Sequence, residues 1–439
     1  MHVWLNRLKK GALLMPLAGM AVLSGWAQDG VSADEALAVS AYVDSSYLFL
    51  IGGLIVMFMA AGFLCLEAGL VRSKNASMQS LKNISLFSVA GLMFWLVGYN
   101  MAYPGTTVLS GLIGIPDFIW AGEESLDTGY AASSDWFFQM VFVATAASIV
   151  SGTVAERVKL WPFLAFVAVL TAFIYPIVAS WEWGGGYLDS VWGFSDFAGS
   201  TLVHSTGGWA ALMGAIIIGP RAGKYFGDRV NPMPGSNIPL AALGTFILWF
   251  GWFGFNGASQ LAAGTFDDIN AVAVIFANTN MAAVGGVLAA MILTAVLYKG
   301  KVDPTMALNG AIGGLVSITA EPLAPSMFGA VWIGAIGGVL VVLSVPLLDK
   351  LKIDDVVGAI PAHLVCGIWG TMVVPVYGDA SFVGQFVGVA LTAVFVSAAS
   401  AGVWFLLKLT IGVRVSEEDE QLGLDKADTG VEAYPEFAS

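Results

Sequence analysis

Long apolar runs alternate with short polar connections along this chain, and the runs have membrane-spanning length. They cover 46–70, 84–104, 134–154, 160–180, 198–219, 238–258, 271–298, 306–321, 327–348, 357–376 and 383–409. A helix needs about 20 apolar residues to cross the hydrocarbon layer of a bilayer. The pattern therefore predicts an all-α polytopic membrane protein with eleven transmembrane helices. An acidic amphipathic stretch leads into the first of them. Ahead of it, Arg7, Lys9 and Lys10 precede an apolar run from Gly11 to Trp26, followed by the small residue Ala27. A basic start, a short apolar core and small residues at its end describe a secretory signal peptide, removed after Ala27.

Charge placement orients the spans. With the mature N-terminus outside, one set of loops holds Arg72, Lys74, Lys82, Arg157, Lys159, Arg221, Lys224, Arg229, Lys299, Lys301, Lys350 and Lys352. Lys408 and Arg414 end the last span on the same side. The opposite loops keep acids such as Asp117, Glu123, Glu182, Asp267 and Glu321. Basic loops face the cytoplasm, so an odd number of spans leaves a cytoplasmic tail. The expected organisation is a signal peptide over 1–27, an eleven-helix domain over 28–413 and a cytoplasmic tail over 414–439.

Composition agrees with a membrane protein. The 439 residues are 57% hydrophobic and 11% charged, against about 45–50% and about 25% in soluble domains. The 53 glycines suit helices that approach closely in lipid. A net charge of −13 argues against nucleic acid as a partner. Cys65 and Cys366 lie inside apolar runs and imply no disulfide framework.

Chemistry is scarce, which makes the few polar residues within spans informative. Removal of the leader also removes His2, leaving His204 and His363, in the fifth and tenth spans. His204 is followed by Gly208 and Trp209, and His363 by Gly367 and Trp369. A repeat of five spans has opposite orientation in its second copy, as in inverted-repeat transporters with a site near the midplane. The expected architecture is a 5+5 inverted repeat plus one extra helix, with one pore per subunit. An ionisable residue inside a span is expensive and marks function, although a lone histidine can simply bond a neighbouring helix. Two at matching repeat positions favour a pore, where facing imidazoles can share one proton. A metal site needs a third ligand; Cys366 follows His363 by three residues, but no carboxylate lies one helical turn from either histidine, and a metal is not expected. Asp196 opens the fifth span, either as an N-cap or as a cation-binding carboxylate.

Four segments carry a family resemblance. Asp196 to Arg221 (DFAGSTLVHSTGGWAALMGAIIIGPR), Phe137 to Arg157, Gly251 to Ser259 and Gly358 to Thr371 are similar to the signatures of the ammonium transporter (Amt) family. The resemblance extends over essentially the whole mature chain, including Gly423-Leu424-Asp425 in the tail. It implies that His204 and His363 are twin pore histidines that relay a proton, and that Phe142 and Phe255 are stacked rings gating the pore above them. It further implies that Trp183 and Ser259, with Phe142, form an outer site that binds the substrate, and that Asp196 is structural. Trp181 lies only two residues from Trp183. Thr429-Gly430-Val431 departs from the His-Gly-Glu that the family often carries in its tail.

The resemblance implies a transporter in the inner membrane that recruits ammonium, deprotonates it and passes ammonia inward. It implies no cofactor, no metal and no enzymatic activity, and the chain offers no nucleophile–base pair. Ammonium or ammonia, and methylammonium, are the implied substrates. A homotrimer and a cytoplasmic PII-type signal protein are the implied partners. The alternatives are an ammonium sensor signalling through its tail and a Rhesus-type channel for neutral gas.

Overall fold

The structure is a computed structural model that describes residues 32–437 except Ser110 and Pro116. The leader expected over 1–27, with His2, lies outside the described residues. Eleven helical segments follow one another: α1 (Ala33–Leu70), α2 (Ser73–Ala102), α3 (Ala132–Thr153), α4 (Leu160–Ser180), α5 (Ser200–Ile218), α6 (Ile238–Ala258), α7 (Phe266–Leu297), α8 (Pro304–Ile318), α9 (Met327–Lys350), α10 (Ile360–Tyr377) and α11 (Phe382–Thr410). All but α8 are long and apolar enough to cross a membrane. The eleven segments match the expected order, while several boundaries move for identifiable reasons.

α1 starts well before residue 46. Ser32 caps it, its side chain accepting from the Glu35 N–H at 3.2 Å, and Asp34 and Glu35 occupy the first turn, where acids complement the helix dipole. The acidic lead-in is therefore a continuation of the span as helix. α2 starts at Ser73 and absorbs residues expected in a loop. Lys82, assigned above to a basic loop, is instead buried inside α2 at 1% exposure. Counting apolar residues misplaced it, because a lysine with a partner is tolerated inside a bundle. α8 is short because the chain turns away at its end. The carbonyls of Thr319 and Ala320 there accept from the N–H groups of Ala198 and Phe197, both at 3.0 Å, and so anchor the approach to α5.

Backbone contact between helices depends on small residues. A Cβ added at Gly334 of α9 would lie 1.9 Å from the Ala282 carbonyl of α7, and one at Gly286 of α7 would lie 2.1 Å from the Gly310 carbonyl of α8. In lipid, close packing of this kind substitutes for the hydrophobic drive.

The ends of the helices that carry the basic loops are tied by a buried ionic network. Arg221 donates through Nε and Nη2 to the two oxygens of Asp354, each at 2.9 Å, and through Nη1 to Glu156 at 3.2 Å. Arg72 reaches Glu156 from α1's end. Arg157, fully buried, donates to the carbonyls of Thr153, Ala155, Gly219 and Asp354. The tail docks on this end. Its helix α12 (Glu417–Leu422) brings Glu420 to Arg414 at 2.7 Å and to the Ala222 N–H at 2.6 Å. Asp425 accepts from the N–H groups of Ser77 and Met78.

Burial alone would raise the Asp354 carboxyl, but the Arg221 hydrogen bonds and the Arg157 and Arg221 charges prevail and hold it well below the usual carboxylate range. A carboxyl depressed on folding contributes stability above its unfolded value of about 3.9, and that contribution is lost as pH falls through the folded value. Asp354→Asn should therefore lower stability near pH 7 by about 3–5 kcal/mol, the scale for one partner removed from a buried pair. The gap from wild type should shrink once the pH drops below 4. Thermal unfolding in detergent across that range measures both; a gap independent of pH would show that the ion pair is not its origin.

Candidate functional site: an aromatic and histidine line between two cavities

Both histidines sit in π-helical turns that open their spans, Ser200–Ser205 at the start of α5 and Ile360–Val365 at the start of α10. Such turns offset the helical register by one residue and are frequent at functional sites. They bring the imidazoles face to face across the bundle. His204 Nδ1 and His363 Nδ1 are 3.3 Å apart, with ring centroids at 5.3 Å and planes at 26°. One Nδ1 must carry the hydrogen and the other accept it, so the contact fixes opposite tautomers on the two rings. Both residues are buried, and His204 Nε2 has no hydrogen-bond partner.

Aromatic rings continue the line. His204 stacks on Trp252 at 4.9 Å and on Phe255 at 5.2 Å, both from α6. Phe255 in turn stacks on Phe142 of α3, with centroids 3.9 Å apart and planes at 17°. Phe138, one turn earlier on α3, packs its ring obliquely on Phe142 at 4.7 Å. Trp252 is held in place by donating from Nε1 to Thr319 Oγ1 at 2.8 Å.

Beyond Phe142 a cavity of about 380 Å³ opens toward the acidic loops, lined by Tyr99, Tyr103, Asp135, Phe142, Trp183 and Ser259 among others. The Trp183 ring stands edge-on to Phe142 at 6.2 Å, and its Nε1 donates to the Asp196 carbonyl at 3.1 Å. Ser259 Oγ donates to the Phe255 carbonyl at 2.8 Å, which leaves its lone pairs free to accept from a cation. Trp181 is directed elsewhere: it is buried and donates to the Leu112 carbonyl. Two acids flank this end. Asp135 accepts from the Tyr99 hydroxyl at 2.5 Å. Glu182, which accepts from the Asp196 N–H at 2.7 Å, has its carboxyl pushed up by burial and by the nearby Asp196 charge.

On the far side of the histidines, a small cavity of about 10 Å³ is lined by His363, Phe63, Glu67, Ser148, Asn309 and Val357, among others. Asn309 and Val357 also line a cavity of about 340 Å³ among the basic loops, with Arg221, Lys224, Asp303 and Asp355. Cavity, stacked phenylalanines, paired histidines, small cavity and second cavity thus follow one another through the bundle.

The structure brings together Trp183, Ser259, Phe142, Phe255, His204 and His363. It keeps Asp196 off this line. That carboxylate is buried and accepts from four consecutive N–H groups, those of Gly199, Ser200, Thr201 and Leu202, at 2.7–3.0 Å. It caps the turn that carries His204, satisfying donors that a helix start otherwise leaves open. Sequence reasoning passed over Asp135 and Glu67 and placed Lys82 in a loop. All three lie within helices, and the signal available for them was a charge at span depth.

A family model described as the Ammonium Transporter Family matches residues 47–434. The chain is 41% identical over 420 residues to the ammonium transporter Amt2 of Archaeoglobus fulgidus, covering 88% of this chain and 87% of that protein. Among solved structures it is similar to a sensor Amt protein, with TM-score 0.82 and 34% identity over 88% of this chain and 98% of that one. Mep2 of Candida albicans shares the fold, with TM-score 0.78 at 24% identity over 87% of this chain and 88% of that one.

The stacked rings predict unequal effects of their removal. Phe142→Ala leaves Phe255 stacked over His204 and should keep the lumen closed to water. Phe255→Ala removes a ring in contact with both Phe142 and His204 and should raise water permeability of proteoliposomes, read by osmotic light scattering. Equal permeability in the two variants would show that the rings do not block the lumen in series.

Proposed function

Because the chain belongs to the ammonium transporter family, we propose that it recruits ammonium outside, deprotonates it and conducts ammonia inward past the paired histidines. The observation that carries this reading is the unbroken run of Trp183, Phe142, Phe255, His204 and His363 between two cavities. Recruitment follows from the chemistry of the first cavity. The faces of Trp183 and Phe142 attract a small cation, each contributing about 0.5–2 kcal/mol, and Ser259 replaces one water of its hydration shell. The cation cannot continue intact, because an unpaired ion among apolar rings costs many kcal/mol.

Loss of a proton removes that cost. Neutral ammonia donates to and accepts from imidazole nitrogens, and the short Nδ1–Nδ1 contact offers the released proton a path from one ring to the other. In this reading the N-terminus faces outward, the basic loops and tail face the cytoplasm, and the protein resides in the inner membrane as a homotrimer with one pore per subunit. A PII-type signal protein acts at the inner mouth. Asp196 serves structurally, by holding the His204 turn.

Current evoked by an ammonium jump on a solid-supported membrane tests the reading. Sustained current is expected from wild type, and none from His204→Ala with His363→Ala. A folded double variant that keeps full current per molecule would overturn the relay. Ammonia flux without current would favour a neutral gas channel. Absence of both, with an ammonium-dependent change in the tail, would favour a sensor, as the similar solved sensor Amt protein is named. For recruitment, Ser259→Ala with Trp183→Leu should raise the half-saturating ammonium concentration roughly tenfold, as expected for the loss of one hydrogen bond and one cation–π contact. An unchanged value would remove the outer site from the mechanism.

A further inference from the structure

Glu67 and Lys82 form a charged pair in the interior that the path just described does not use. Glu67 closes the last turn of α1 and Lys82 lies in α2; both are 1% exposed, with Lys82 Nζ 3.7 Å from Glu67 Oε2. The same Oε2 accepts from Ser151 Oγ at 2.8 Å, and Lys82 Nζ donates to the Ser151 carbonyl at 2.8 Å. Two groups, one from α2 and one from α3, therefore fix one side of the carboxylate. Its other oxygen, Oε1, is buried with no partner. Unpartnered buried acceptors are rare because the desolvation penalty is not offset. Glu67 also lines the small cavity that contains His363. At about 10 Å³ that space holds roughly one water-sized molecule, and it leads by way of Asn309 and Val357 to the cavity among the basic loops.

From this geometry we propose that Glu67 Oε1 is an acceptor subsite for ammonia on the inner side of the histidines. The inference rests on the conduction reading above. Ammonia has three N–H donors, and once past His363 it meets a small cavity whose one carboxylate is Glu67, among apolar side chains with Ser148 and Asn309. A carboxylate oxygen accepts strongly. Lys82 makes the pair neutral overall, so the subsite attracts an N–H donor without presenting an unbalanced negative charge that would trap a cation. Ser151 and Lys82 hold the carboxylate through Oε2, which leaves Oε1 as the oxygen without a hydrogen-bond partner. Gly152 keeps the wall thin here: a Cβ at that position would lie 3.6 Å from the Glu67 side chain and 2.5 Å from Val357.

The test uses the full-length protein in lipid. Infrared difference spectra on exchanging sodium sulfate for ammonium sulfate should contain a carboxylate band that disappears in Glu67→Gln. Saturating ammonium current per folded molecule should fall roughly tenfold in that variant, the scale of one lost hydrogen bond to a charged acceptor. The half-saturating concentration, set in the other cavity, should stay. If Glu67→Gln fails to fold, the paired change Glu67→Gln with Lys82→Met removes both charges together and serves instead. A wild-type spectrum with no ammonium-dependent band assignable to Glu67, or unchanged current in a folded variant, would overturn the subsite. The two readings fail separately. Current without the band leaves conduction standing and removes the subsite, whereas the band without current leaves ammonia bound at Glu67 and removes conduction.

Discussion

Charge inside an apolar bundle has to be matched locally, and the arrangement of this protein's interior follows from that requirement. Water is absent as a partner through most of the span, so each ionised group must find opposite charge or several dipoles within hydrogen-bond reach. Asp196 is met by four amide N–H groups, Arg157 by four carbonyls and Arg221 by two carboxylates. Glu67 and Lys82 are met by each other and by Ser151. Between the two large cavities the line runs through stacked rings to the paired imidazoles, with Glu67, Ser148 and Asn309 bordering the small cavity beyond them. An imidazole offers a donor and an acceptor while neutral, so it is the side chain that can add polarity there at least desolvation cost.

Backbone irregularity converts that requirement into a site. A regular α-helix has no spare donors along its length, and its side chains point where 3.6 residues per turn send them. The π turns at Ser200–Ser205 and Ile360–Val365 depart from that period at corresponding places in α5 and α10. Asp196 satisfies the amides opened at the first, and Asp355 accepts from the Ile360 N–H at 2.7 Å at the second. Each histidine thus sits in a turn anchored by an aspartate that precedes it. That correspondence is what an inverted repeat would produce, and each aspartate lies eight residues before its histidine.

The tail belongs to the same structure. Lys74 donates to the carbonyls of Glu420 and Gln421, Asn75 accepts from the Leu424 N–H, and Glu420 bonds the loop after α5. The segment after α11 is therefore fastened to the ends of α2 and α5, next to the cavity lined by Arg221 and Lys224. The departure at Thr429 leaves this docking intact: its hydroxyl donates to the Asp425 carbonyl at 2.6 Å, and Asp425 anchors α2.

Much of the fold was legible in the sequence because lipid imposes a local rule. An apolar run of sufficient length must be helical whatever surrounds it, so eleven segments and their order could be read one at a time. His204 and His363 stood out for the same reason, as costly residues at span depth. The family signatures carried Phe142, Phe255, Trp183 and Ser259, which composition alone could not separate from the many other aromatic and small residues in spans. What only the tertiary structure decided were relations between helices. The choice between Trp181 and Trp183 depends on which indole reaches Phe142 and which is taken up by Leu112. Lys82 read as a loop cation because its partner, Glu67, comes from a different helix. The proximity of Glu67 to His363 joins residues nearly 300 positions apart. Hydropathy is summed along one segment, whereas a buried charge is balanced by whatever other segments bring to it; so the spans were fixed locally and the polar interior only by assembly.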